Sequence, residues 1–152
     1  MPCFFLRKMS KSYKLLPDIA IADVAFEAKA STLNELFDVA AKATFDVMAD
    51  TSTIKPTITK EISLSSSTLE NLLYDFLSEI IFIKDTDSMV FSDVKTTITE
   101  QVKKFHLKAT LKGAPINPQK QKLGNDVKAV TMHMFEIKKV KEGYTARVVL
   151  DI

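Results

Sequence analysis

The side chains able to do chemistry are few in this 152-residue chain. One cysteine, Cys3, excludes an internal disulfide framework and a Cys-based zinc site. The two histidines, His106 and His133, belong to no HExxH arrangement. The three glycines, Gly113, Gly124 and Gly143, are too far apart for a phosphate-cradling P-loop or a GxGxxG fingerprint. Carboxylates remain. The chain ends YTARVVLDI, which puts the Asp151 side chain and the terminal carboxylate of Ile152 one residue apart. Adjacent carboxylates repel unless a proton or a cation sits between them. Asp23 lies in the small, apolar run IAIADVAF. A carboxylate there is costly unless it is solvated, hydrogen-bonded or bound to a cation. Together these groups would form an all-oxygen site suited to Ca²⁺ or Mg²⁺/Mn²⁺ rather than zinc. Spacing alone does not bring Asp23 to Asp151, and a solvated terminal aspartate is the plain alternative.

Two helices are expected to support such a site. In STLNELFDVAAKATFDVMAD, residues Leu33, Leu36, Phe37, Ala40, Thr44, Val47 and Met48 recur in steps that fit a 3.6-residue period. Thr32 followed by Glu35 fits a capping box. In STLENLLYDFLSEIIFI the stripe runs Leu69, Leu72, Leu73, Phe76, Leu77, Ile80 and Ile81. Both stripes read as core. Strand alternation appears in IAIADVAFEAKA, TITKEISL, SDVKTTITEQ and KKFHLKATLKG. VKAVTMHMFEIKKV and YTARVVLDI, joined by KEG, read as a hairpin with Gly143 in the turn. Met132 and Met134 read as core filler and His133 as a packed strand residue. APINPQKQKLGND is the one long irregular loop and a functional candidate. The expected architecture is α+β: a two-layer domain with two helices packed on a mostly antiparallel β-sheet.

The composition is that of one globular domain, with 46% hydrophobic and 26% charged residues. The apolar patch Cys3–Leu6 is too short for a signal peptide, and no apolar run approaches the length of a membrane span. A cytoplasmic monomer without a membrane partner is expected. Charge is unevenly spread. Residues 1–94 carry 9 Lys/Arg against 14 Asp/Glu, and residues 95–152 carry 12 against 5. Such asymmetry fits either a polyanionic or acidic partner or a solvated basic surface.

Several stretches resemble the archease family. ADVAFEAKASTLNELF resembles the family's opening strand and first helix, FDVMADTSTI the end of that helix, and LENLLYDFLSEIIFIKDTD the second helix. LGNDVKAVTMHMFEI resembles the late strand and ARVVLDI the terminus. The likeness covers most of residues 13–152. Residues 1–12 fall outside it and read as an N-terminal extension without fixed structure, with Met9 as an alternative start. The resemblance implies that Asp23, Asp151 and the terminal carboxylate of Ile152 bind a divalent cation, calcium first among the candidates. It also implies a non-catalytic activator of the RtcB-type tRNA-splicing ligase, promoting its guanylylation and multiple turnover and broadening its nucleotide use. tRNA would then be met indirectly, through the ligase, with direct RNA contact left open by the sequence. Lys128, in the family's VKA motif, would contact a phosphate or an acidic group of that partner, or stand in solvent. Two departures stand out. Where the family has Asp-His-Thr-Ala-Asp, Ile19–Asp23 keep the last aspartate as Asp23 but lack the His and the Thr, and Gln121-Lys122 replace a His-Pro. A metal-dependent phosphate-ester hydrolase and an RNA-binding module are the alternatives.

Overall fold

The computed structural model describes residues 11–16 and 23–152. Residues 1–10 of the expected extension, and the family departures at Ile19, Ala20 and Ile21, lie outside the described residues.

Each helix follows a strand and opens on a threonine cap. Strand β2 (Asp23–Ala30) leads into helix α1 (Leu33–Met48), and strand β3 (Ile58–Ser66) into helix α2 (Leu69–Asp87). The Thr32 hydroxyl accepts the Glu35 N–H and the Thr68 hydroxyl accepts the Asn71 N–H, satisfying one orphan donor at each helix start. Only half of the expected capping box forms. The Glu35 carboxylate accepts from the hydroxyls of Ser31 and Thr32. Helix α2 runs one turn beyond the sequence-based boundary. It stops where Ser88 turns left-handed at φ 52° and donates its N–H to the Lys84 carbonyl.

The remaining strands are β1 (Ser12–Leu15), β4 (Met89–Gln101), β5 (Lys104–Pro115), β6 (Ala129–Val140) and β7 (Gly143–Asp151). All pairings among the described residues are antiparallel. The strands divide into two sheets, a four-stranded one in the order β1-β2-β7-β6 and a three-stranded one in the order β3-β5-β4. The α+β class with two helices packed on antiparallel strands is as expected, and the one sheet expected from sequence is divided in two. Helix α1 rests on β2 and β7 of the first sheet and on β4 of the second; α2 bridges β6 of the first and β3 and β5 of the second. One core results. Phe26, Ala28, Val148 and Leu150 come from the first sheet, Ile62, Leu107 and Leu111 from the second, and both helical stripes fill the space between. Phe37 of α1 stacks on Phe76 of α2 with ring centroids 6.2 Å apart, and both are fully buried. Each such ring contributes about 1.5–3 kcal/mol by leaving water.

The hairpin β6–β7 forms as expected, and Gly143 is needed there. A Cβ at Gly143 would collide with the backbone carbonyl oxygen of Ala30. The strand β6 itself is not regular. Thr131 faces Val149 while Glu136 faces Arg147, so Met132–Phe135 bulge out opposite Val148 alone. Met134 takes a positive φ of 57°. The bulge overturns two sequence-based readings. Met132 is 60% and Met134 41% exposed, so neither fills the core, and His133 is exposed rather than packed.

Candidate metal centre

Antiparallel pairing places Asp23 of β2 directly opposite Asp151 of β7, at the end where both strands stop. Residues so paired project from the same face with Cβ atoms about 5 Å apart. Two half-buried carboxylates that are 128 positions apart in sequence thus stand side by side. Alternation along β7 explains the aim. Ala146, Val148 and Leu150 are buried against the core, Ile152 packs on it, and Asp151 turns to the opposite face.

The row two residues along the same face pairs Ala25 with Val149, both buried. The next row aligns Glu27, Arg147 and Glu136 across three strands. There the Arg147 guanidinium lies 3.8 Å from Glu27 and 3.7 Å from Glu136. Its charge is committed to those partners. Among the described residues no ion pair engages Asp23, Asp151 or the terminal carboxylate. Nor do the described residues contain a cluster of three or more His, Cys, Asp or Glu side chains suited to a metal. The side-chain set at this end is the Asp23–Asp151 pair. Opposed carboxylates with oxygen donors only fit a hard divalent cation, which would relieve their repulsion.

The other edge of the site is made by the segment that enters β6. The Lys128 N–H donates to the Asp151 carbonyl at 2.7 Å, and Ala129 pairs with Asp151. The Lys128 side chain is exposed beside the carboxylates' strand end. This segment is held by Lys84, a residue the sequence reading passed over. Lys84 is only 6% exposed. Its Nζ donates to Asp126 Oδ1 at 2.6 Å and to the Val127 carbonyl at 2.9 Å, and pairs with Asp85 at 2.9 Å. Burial alone would depress its pKa, but the hydrogen bonds to Asp126 and Asp85 outweigh it and the net shift is upward. The hydrogen bond from Lys84 in turn lowers the Asp126 carboxyl. A signal was present. Lys84 continues the α2 stripe four residues past Ile80 and three past Ile81, and a lysine on an apolar stripe requires partners.

The long loop flagged from sequence runs 116–128 and is a strap. Its first two expected residues, Ala114 and Pro115, belong to β5. Gln121 is buried, accepts the Asn117 N–H at 2.9 Å and donates to the Pro115 carbonyl at 3.0 Å. The Lys122 N–H donates to Thr53 Oγ1 at 2.9 Å, a bond that a proline at this position could not make. The Gln121-Lys122 departure thus brings its own fastening. Next, the Gly124 and Asn125 N–H groups donate to the Met48 and Val47 carbonyls at 2.7 and 2.9 Å, satisfying the C-terminus of α1. A Cβ at Gly124 would lie 2.6 Å from the Val47 oxygen, so only glycine fits. The strap therefore ties both helix C-termini to the strand that borders the carboxylates.

The two-sheet α+β fold and the sequence that builds it are shared with known proteins. Residues 13–152 match the Archease protein family (MTH1598/TM1083). The chain is 39% identical over 131 residues to the protein archease of Methanothermobacter thermautotrophicus, covering 86% of this chain and 93% of that one. It is 36% identical over 132 residues to that of Thermococcus kodakarensis, with the same coverage. The solution structure of Methanobacterium thermoautotrophicum protein 1598 superposes with a TM-score of 0.82 at 36% identity, over 92% of this chain and 98% of that one. The crystal structure of an archease, possible chaperone, from Thermotoga maritima shares the fold at a TM-score of 0.60 and 18% identity. The chain belongs to the archease family.

Among the described residues no helix is long and apolar enough to cross a membrane.

Proposed function

We propose that this chain is an accessory protein that activates an RtcB-type tRNA-splicing RNA ligase, promoting its guanylylation and multiple turnover and broadening its use of nucleoside triphosphates. Asp23, Asp151 and the terminal carboxylate of Ile152 would hold one divalent cation, Ca²⁺ or Mg²⁺/Mn²⁺. The observation that carries the reading is the direct pairing of Asp23 with Asp151, with no ion pair made to either among the described residues. Membership of the archease family fits a protein that acts on a partner protein. A cation bound there supplies positive charge and open coordination positions to groups of the partner. The chain's own residues do the rest. Asp23 and Asp151 concentrate negative charge at the tip of the first sheet. The Ile152 side chain anchors the terminus, and Lys128 stands ready to meet a phosphate or a carboxylate of the ligase.

The test mixes the protein with the ligase of its own host, cleaved RNA, GTP and a divalent salt, with the ligase sub-stoichiometric. More than one ligation per ligase is expected only when this protein is present. Asp151→Ala should remove that effect while circular dichroism stays unchanged. A direct readout is terbium luminescence, which reports cation binding by the isolated chain and should fall in both Asp23→Ala and Asp151→Ala. Full activation by folded Asp151→Ala overturns the metal-dependent reading.

A further inference from the structure

The second sheet turns one face to the core and the other to solvent, and the solvent face has a chemistry that the proposed cation site does not use. Its rows follow from the pairing register. Lys108 of β5 lies between Ser63 of β3 and Thr97 of β4. His106 lies between Ser65 and Thr99 in the row toward the β4–β5 turn, and Thr110 between Glu61 and Lys95 in the row away from it. Lys104, opposite Gln101, ends the face, and Lys103 is in the turn itself. Among the described residues none of Lys95, Lys103, Lys104 and Lys108 makes an ion pair. Two open depressions of about 400 and 480 Å³ share Ser63 and Lys108, so they form one trough along the rows. Of the acids of this face, Glu61 lines the end of the depressions farther from the turn, and Asp93 lies beyond it in the row of Lys112.

We infer that this trough binds the phosphodiester backbone of single-stranded RNA. Lysine ammonium groups interleaved with serine and threonine hydroxyls are the donors that contact phosphate oxygens. An acidic protein partner fits less well. Stable protein interfaces centre on aromatic, methionine or arginine anchors, and this face offers none in the trough. Contacts to phosphates carry no sequence information, so binding should be indifferent to base sequence. RNA rather than DNA follows from the proposed ligase partner; phosphodiester recognition does not depend on that reading. The lysines of this trough come from the basic C-terminal part of the chain, residues 95–152.

The test is fluorescence anisotropy of labelled 20-nucleotide RNAs of several sequences with the full chain, from 50 to 200 mM KCl. Neutralising about three phosphates gives a log–log salt slope of about −2, so affinity should fall about twentyfold over that range. Lys104→Glu combined with Lys108→Glu should weaken binding at least tenfold. Lys104→Gln combined with Lys108→Gln should weaken it less and guards against a folding artefact of charge reversal. Asp151→Ala should bind RNA as tightly as the unmodified chain, which separates this inference from the cation site. Absence of salt-dependent binding, binding insensitive to both double variants, tighter binding of DNA of the same sequence, or equal binding of a polyglutamate of similar length overturns it.

Discussion

The two sheets share a core and handle charge in opposite ways. On the first, Lys14, Lys138 and Arg147 pair with acids of the same sheet. Arg147 is flanked by Glu27 and Glu136, Lys14 lies 3.8 Å from Glu27, and what remains at the tip is the carboxylate pair Asp23–Asp151. On the second, the lysines near the β4–β5 turn have no acidic partner and the face is cationic. Chain order hides this contrast. The linear split between an acidic first part and a basic second part suggests two electrostatic halves. Yet β2 from the first part pairs with β7 from the last, and the basic part contributes Asp151 itself. Function in this fold follows rows across strands rather than stretches along the chain.

The sharpest way to break the contrast is to remove one member of the acidic pair. Asp23→Ala and Asp151→Ala are each expected to reduce ligase activation on the order of a hundredfold, because a hard cation that loses one of its few carboxylate ligands is held poorly. Both variants should leave RNA binding at the second sheet intact. Equal activation by the two variants and the unmodified chain, measured as ligations per ligase, would erase the distinction between the sheets.

A second expected effect acts on the support of the first sheet alone. Lys84→Met leaves the buried Val127 carbonyl without its donor and releases Asp126 to solvent. Unfolding free energy should drop by about 2–3 kcal/mol, below the full cost of breaking a buried pair because Asp126 is mostly exposed and rehydrates. Urea denaturation measures it. Cation affinity should fall as well, since the Lys128 N–H that fixes the Asp151 carbonyl follows directly after Val127. The same clamp has a pH signature. Asp126 is lowered, so its contribution is present above the unfolded carboxyl range near pH 4 and is lost as pH falls through its lower folded value. Lys84 is raised, so its contribution is complete below the unfolded lysine value near pH 10 and is lost as pH rises through its higher folded value. Asp38 works the other way, since burial raises it and its charging opposes folding. Melting temperature against pH should therefore show a plateau between acid and alkaline limbs, with both limbs shallower in Lys84→Met.

What could be read from the sequence was whatever depends on local period. Both helical stripes proved buried apart from Leu33 and Leu69 at their first turns, and the later strands fell where alternation placed them. Asp23 and Asp151 stood out because a carboxylate among small apolar residues, and one beside a chain end, are locally odd. Their meeting was not readable, since register between the opening and closing strands is a long-range property. The same holds for the division into two sheets. Strand β1 has four residues, two of them exposed lysine and serine, and carries no usable alternation. The β6 bulge lacks the glycine that usually announces one; Met134 takes the positive φ instead. The exposure of Met132, His133 and Met134 followed from that single irregularity.

The smallest expected effect concerns the second sheet and comes from backbone conformation alone. The β4–β5 hairpin turns through Val102 and Lys103, with φ of 47° and 61°. Two successive positive φ values at the centre of a two-residue hairpin define the type I′ geometry, whose preferred residues are Asn and Gly. A β-branched valine is poorly suited to it, and Val102 is 94% exposed, so no packing offsets the strain. Replacing Val102 with Asn and Lys103 with Gly should stabilise the fold by about 1 kcal/mol, read as a higher urea midpoint at unchanged slope. Loss of Lys103 should at the same time weaken RNA binding only slightly, with the salt slope falling by about 0.7. Stability and RNA affinity then move in opposite directions from one change at the hairpin tip, while cation binding at the other sheet stays constant. An unchanged or lower midpoint would show that the tip is not strained and that Val102 is held there by a contact of its own.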